Sequence, residues 1–226
     1  MSDPLQSLYP FLHGTRRDPA QIDAALLESV RQKSADSVET QRAFFGAHGT
    51  DLVAAARGLA TCYRGGGRLF SMGNGGSSCD AAHVAVEFQH PVTAGRPALP
   101  AINLGADTAM LTAVGNDVGI GHVFVRQLIA LARPGDALIG FSTSGNSENL
   151  LAAFVKARAL GLTTIGFCGG DGGRMASSGE LSHCLVVASG SIHRVQETHV
   201  AAYHILWDLV HTLLADDRGA ARSDAT

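Results

Sequence analysis

Two pairs of residues in this chain have the types and spacing for proton or metal chemistry. His83 and Glu87 stand four apart, so on an α-helix they share a face within about 40°. Gln196 and His204 stand eight apart and fall within about 80° of each other. Two imidazoles, a carboxylate and an amide oxygen suit a divalent ion, with zinc matching the ligand types. Alternatively, Glu87 and His204 form a proton-transfer pair. Taken singly, each residue also has an ordinary reading as a hydrogen-bonded core or surface side chain, and spacing within one helix does not say whether two helices meet.

A third group is the run Ser142-Thr143-Ser144-Gly145-Asn146-Ser147. It follows an apolar stretch and precedes a helical one, which places hydroxyls beside the free N–H groups of a helix start and makes a phosphate cradle without lysine. The plainer reading is that Ser144 or Ser147 caps the helix. Four hydroxyls in six residues exceed what a cap needs. A fourth group, Gly73-Asn74-Gly75-Gly76-Ser77, lets backbone N–H groups approach an anion at a helix N-terminus. It equally describes a tight strand-to-helix turn with no ligand.

These groups need elements to hold them. Arg68 to Gly73 reads as a buried strand running through the glycine turn into a helix that starts near Ser77 and carries His83 and Glu87. Further short apolar runs at 101–104, 137–141, 163–167 and 184–188 alternate with helical stretches at about 107–132, broken at Gly115-Asn116-Asp117, and to about Leu160. Such alternation predicts βαβ units, an α/β fold with a mostly parallel five-stranded sheet between two helical layers. Both ligand-type loops then fall at carboxyl ends of strands, where open parallel sheets bind ligands. Before the sheet, residues 1–17 read as an irregular arm. Asp18 and Pro19 open a helix to about Lys33, and a second helical stretch spans 34–64, interrupted near Gly46 to Gly49. The last helix, 193–214, is apolar nearly all round, which predicts burial against another subunit. Residues 216–226 read as a polar, disordered tail, leaving 34–215 as a single domain.

Composition narrows the function. A 226-residue chain that is 46% apolar can bury a sizeable core. A net charge of −3 without a Lys/Arg run gives no footprint for nucleic acid. Met1 to Arg17 has no apolar segment of signal-peptide length and nowhere is there an apolar run of membrane-spanning length, which points to the cytoplasm and no membrane partner. Cys62, Cys79, Cys168 and Cys184 lack a C-x-x-C pair, and buried free thiols are expected.

In order along the chain, the G-N-G-G-S turn at 73–77, His83-x-x-x-Glu87, Gly115-Asn116-Asp117, the 142–147 loop, the Gly169-to-Gly173 loop and Arg194-Val195-Gln196-Glu197 with His204 resemble the sugar isomerase (SIS) domain family. Within it, the bacterial phosphoheptose isomerases match best, over roughly 34–215. The resemblance implies a three-layer, flavodoxin-like fold and aldose–ketose isomerisation of sedoheptulose 7-phosphate through an enediol. It also implies a homotetramer with active sites between subunits. Carried over, Asn74, Gly75, Gly76, Glu87, Asn116, Asp117, Ser142, Thr143, Ser144, Ser147 and Gln196 would hold the substrate. His83, Glu87, Gln196 and His204 would bind one zinc per subunit, and Glu87 and His204 would be the acid/base pair. The glycine turn would then grip sugar hydroxyls, leaving the phosphate to the 142–147 loop.

The chain departs from the family pattern at Gln89-His90-Pro91, where an Arg is expected after the glutamate, and at His193, where an Asp is expected. Both touch the pocket rim and bear on which sugar phosphate is used. A non-catalytic SIS module that binds sugar phosphate or protein is the other reading, and retention of Glu87 and His204 counts against it. A sugar-phosphate-sensing regulator would add a DNA-binding domain, and the first 65 residues show no basic helix for one.

Overall fold

The computed structural model describes residues 19–223, with side chains through 215. The expected arm and Asp18 lie outside the described residues. The chain divides into two compact units, Met1–Val38 and Glu39–Thr226. Helix α1, Pro19–Arg64, is unbroken where a junction near residue 33 and an interruption near Gly46 to Gly49 were expected. A glycine inside a helix costs about 1 kcal/mol relative to alanine. Burial of Phe44 and Leu52 on either side, each worth about 1.5–3 kcal/mol, outweighs that cost. In the first unit the helix leaves Ile22, Leu26, Leu27, Val30 and Val38 exposed.

The second unit holds the sheet. Strands β1 (Leu69–Gly73), β2 (Ala101–Asn103), β3 (Ala137–Ser142), β4 (Thr163–Gly169) and β5 (His183–Val187) lie in the order β2-β1-β3-β4-β5, and every pairing is parallel. Between them run α2 (Gly76–Gln89), α3 (Thr108–Asp117), α4 (Val123–Leu131), α5 (Glu148–Ala159) and α6 (Gly173–Ser177), and α7 (Ile192–Ser223) closes the chain. A one-turn 3₁₀ helix, Ile120–His122, separates α3 from α4, so the break follows Asp117 instead of falling on residues 115–117. The backbone of 216–223 continues α7, and 224–226 lie outside the described residues.

Alternating strand residues feed two separate cores, as the pleat requires. Leu69, Ile139, Phe141, Ile165, Phe167, Leu185 and Val187 pack with the later part of α1, with α2 and with α7. Phe70, Met72, Leu138 and Cys168 pack with α3, α4, α5 and α6 on the other face. This is the three-layer arrangement expected from the βαβ alternation. Because β2 and β3 flank β1, chain direction reverses between β1 and β3, and the crevice between their carboxyl ends is the topological switch point. All four cysteines are free thiols; Cys62 and Cys168 are buried and Cys184 is half-buried, but Cys79, on the outer side of α2, is exposed against expectation.

Candidate active site

Helix α2 is aimed by its first turns. The Ser71 hydroxyl on β1 donates to the Ala81 carbonyl at 2.6 Å, tying helix to strand inside the core. No serine side chain caps α2: Gly75 is the cap residue, and the Ser78 hydroxyl donates to its carbonyl. At Gly76 the chain passes so close to the Gln196 amide on α7 that a Cβ there would make the glutamine side chain move aside. From that crossing the two helices advance side by side in the same direction. His83 meets Tyr203 and His204, the Trp207 indole N–H donates to the Glu87 carbonyl at 2.9 Å, and Phe88 stacks on His211. Arg96 caps this seam, its guanidinium 4.4 Å over the Trp207 ring and its end paired with Asp208.

The seam brings together three of the predicted residues. One donor atom each from His83, Glu87 and His204 lie within 4.8 Å of one another. The Glu87 side chain is 19% exposed and that of His83 43%, so the cluster opens outward from the groove between α2 and α7. His83 is held through both ring nitrogens, Nδ1 at 2.6 Å from the Tyr203 hydroxyl and Nε2 at 3.1 Å from Glu87 Oε1. Burial, with the Asp80 and Glu87 carboxylates nearby, pushes the Tyr203 phenol above its ordinary range, so it keeps its proton and can donate to Nδ1. His83 Nε2–H then donates to Glu87. Burial, and next the neighbouring His83, hold the His204 imidazole below the usual histidine range, while Glu87 pulls the other way. His204 is thus kept neutral, able both to accept and to release a proton.

The donor set fits a metal. Zinc ligands at about 2.0–2.2 Å from the ion stand roughly 3.3 Å apart in a tetrahedron, within a small side-chain rotation of what is seen. A ligating histidine needs a hydrogen-bond partner behind its second ring nitrogen, and the Tyr203 hydroxyl, which can donate or accept, serves either tautomer of His83. Gln196 stands at the far end of the seam over Gly76, about 12 Å of helix rise from His204.

Of the other predicted residues, Asn74, Gly75, Ser142 and Ser147 come together at the switch point. Ser147 is the cap residue of α5, yet its side chain does not cap; its Oγ lies 3.0 Å from Ser142 Oγ. The hydroxyls of Ser142 and Ser147 therefore face each other at the start of α5, beyond what capping explains. Gly145, at φ +64°, packs so closely on the Gly172 carbonyl that any side chain would displace the loop. The Ser144 hydroxyl accepts from Asn146 N–H and is exposed. Two adjoining cavities of about 240 and 210 Å³ open here, both lined by Asn74, Ile120 and Asn149, one adding Ser147 and the other Gly75. Neither includes His83, Glu87, Gln196 or His204. Asn116 and Asp117, at the end of α3, are exposed, bonded to each other at 2.7 Å, and line neither cavity. A cavity of about 340 Å³ at the amino ends of the strands, beside Arg68, Arg133 and Asp136, contains none of the predicted residues.

Sequence reasoning read Tyr203 and Trp207 only as apolar positions of the last helix and passed over Asn149. Tyr203 and Trp207 each lie 120 residues from their partner on α2, a separation no local pattern marks. Of the departures, Gln89 donates its amide to the Ala101 carbonyl at 2.8 Å, fastening α2 to β2, and His193 is exposed at the start of α7.

A buried histidine next to this site sets an acid limit on stability. His199 is fully buried on α7 against Phe141 and Phe167, and burial pushes its imidazole down to about 4. Unfolded, it titrates near 6.5, so between the two values the unfolded state binds more protons. Stability is present above pH 6.5 and falls by roughly 3 kcal/mol as pH drops towards 4. Asp80, which burial pushes up to about 6, acts oppositely, gaining stability on acidification across about pH 6 to 4. In thermal melts between pH 7 and 4, His199→Phe is expected to flatten the acid fall relative to the parent. Superimposable profiles would exclude His199 as its source.

A five-stranded parallel sheet with hydroxyl-lined loops at its switch point and a His–Glu–His cluster on neighbouring helices defines a doubly wound α/β domain. The chain belongs to the SIS domain family, and within it to the phosphoheptose isomerases. The family's SIS domain model matches residues 33–169. A phosphoheptose isomerase of Desulfovibrio desulfuricans is 44% identical over 200 residues, covering 88% of this chain and 94% of that protein. Among solved structures, a phosphoheptose isomerase from Francisella tularensis superposes with a TM-score of 0.78 at 32% identity, covering 82% and 98% of the two chains. One from Neisseria gonorrhoeae gives 0.77 at 35%, covering 83% and 99%.

Proposed function

We propose that this isomerase converts sedoheptulose 7-phosphate to glycero-manno-heptose 7-phosphate through an enediol. The observation that carries the reading is the cluster of His83, Glu87 and His204: a carboxylate beside two imidazoles, with the Tyr203 hydroxyl holding the ring of His83. Moving the carbonyl from C2 to C1 requires a proton to leave C1 and one to arrive at C2. Glu87 takes the first and returns it at the neighbouring carbon. His204 carries the hydroxyl proton from O1 to O2 and ends the turnover in the form in which it began. Asn74, Gly75, Gly76, Asn116, Asp117 and Gln196 hold the sugar chain, and Ser142, Thr143, Ser144 and Ser147 hold the phosphate. A zinc ion held by His83, Glu87 and His204, with Gln196, would supply Lewis-acid stabilisation of the enediolate oxygens.

In one chain the acid–base cluster and the phosphate loop open to different spaces. A second copy is what would complete the site, and Val86 on α2 and Ile205 on α7, both exposed beside the cluster, offer it an apolar face. We therefore propose a homotetramer with sites between subunits. Four free thiols fit a reducing compartment, the cytoplasm, and no helix among the described residues is long and apolar enough to cross a membrane.

The test is turnover of sedoheptulose 7-phosphate by the purified protein, followed as aldose product, with light scattering and elemental analysis on the same sample. Turnover, a mass near four chains of 23.4 kDa, and zinc that His83→Ala loses are expected. No turnover with C5 to C7 ketose phosphates, with or without added zinc, would sink the enzyme reading and leave a sugar-phosphate-binding module. A monodisperse monomer would contradict the shared site, and metal-free protein at full rate would remove zinc.

A further inference from the structure

Asn149 lies in the first turn of α5 and is 7% exposed. Its carboxamide and that of Asn74, in the loop after β1, face each other and exchange two hydrogen bonds. Asn74 Nδ2 donates to Asn149 Oδ1, and Asn149 Nδ2 donates to Asn74 Oδ1, each at 2.9 Å. The Asn149 oxygen also accepts from the Leu150 N–H at 3.0 Å, which fixes which way its amide points. The pair spans the switch point, and both residues line both cavities there. The pair joins the loop leaving β1 to the segment leaving β3 on which Ser147 sits, two residues from Asn149.

An amide has two N–H donors and two acceptor lone pairs. The clasp uses one of each on Asn74, leaving it one N–H and one lone pair in a fixed orientation at the cavity wall. Asn74 itself is exposed and would otherwise rotate freely, presenting donor and acceptor interchangeably. We propose that Asn149 is a positioning residue: through the reciprocal amide clasp it orients Asn74 towards the sugar hydroxyls and sets the distance between the sugar-holding β1 loop and the phosphate-holding loop after β3. The inference rests on the functional reading above. Asn149 touches no reacting atom. Its effect falls on ligands that reach across both loops and spares one that occupies the phosphate loop alone.

Asn149→Leu removes both hydrogen bonds of the clasp, together with that from the Leu150 N–H, at nearly constant volume, and Asn149→Ala removes them without risk of overpacking. Each is compared with the parent in three measurements on the full-length protein: KM and kcat for sedoheptulose 7-phosphate, calorimetric affinity for that ketose phosphate, and competitive inhibition by inorganic phosphate. Loss of an orienting hydrogen bond to the ligand predicts roughly a tenfold rise in KM and an equal loss of ketose phosphate affinity. Inhibition by inorganic phosphate is expected to stay within about twofold. A merely structural Asn149 would weaken phosphate and ketose phosphate in the same proportion as the melting temperature falls, and that result overturns the inference. Unchanged KM and affinity in a folded variant would also overturn it. If the parent neither turns over nor binds the ketose phosphate, the functional reading has failed and takes the inference with it. If the parent does both and the variants match it, the clasp alone is wrong.

Discussion

Glu87→Gln is expected to lower isomerisation of sedoheptulose 7-phosphate by about 10³-fold, chiefly in kcat. The amide keeps the size of the side chain and can still accept from His83 Nε2–H, the contact seen at 3.1 Å. The Trp207 hydrogen bond is to the backbone carbonyl and is indifferent to the change. What the amide cannot do is take up a proton at any pH near neutrality. The loss therefore reports the proton-transfer role, and general acid–base groups typically contribute 10²–10⁴-fold. Steady-state kinetics with metal content measured on the same sample are the check, because Glu87 also belongs to the candidate metal cluster. Retention of more than about a tenth of the parental kcat would show that the proton is moved by another group.

Phe141→Ala has the largest effect expected on stability, about 3–5 kcal/mol. The ring is fully buried near the carboxyl end of β3, stacked on Phe167 at 5.2 Å and edge-on to Tyr203 at 5.8 Å, with His199 at 5.9 Å. Its removal leaves a cavity that rigid strands on either side cannot close, so the cost is transfer plus cavity. It also takes away the wall behind Tyr203, whose hydroxyl holds His83. Urea unfolding should show the loss as a lower midpoint, and activity measured well below the melting temperature should fall too. By contrast Ile165→Val, equally buried on β4, should cost only about 0.5–1.5 kcal/mol and leave activity intact. A loss below about 1.5 kcal/mol in Phe141→Ala would mean that the core collapses around the gap.

What the sequence determined by itself was local and periodic. Short apolar runs closed by glycine or serine turns specify strands buried on both faces, and their alternation with helical stretches leaves a parallel sheet as the consistent arrangement. Reading the helix that carries His83 and Glu87 required only the 3.6-residue repeat. Where local signals failed, tertiary burial outweighed them: Gly46 and Gly49 sit inside an unbroken α1 because Phe44 and Leu52 are buried beside them. Tertiary structure alone decided which groups meet. Tyr203 behind His83, Trp207 on the Glu87 carbonyl and Asn149 clasped to Asn74 are contacts across 120, 120 and 75 residues. They depend on how α2 and α7 run together and on where the sheet order reverses. No residue's neighbours in sequence encode those contacts, because each is fixed by packing whole elements against the sheet.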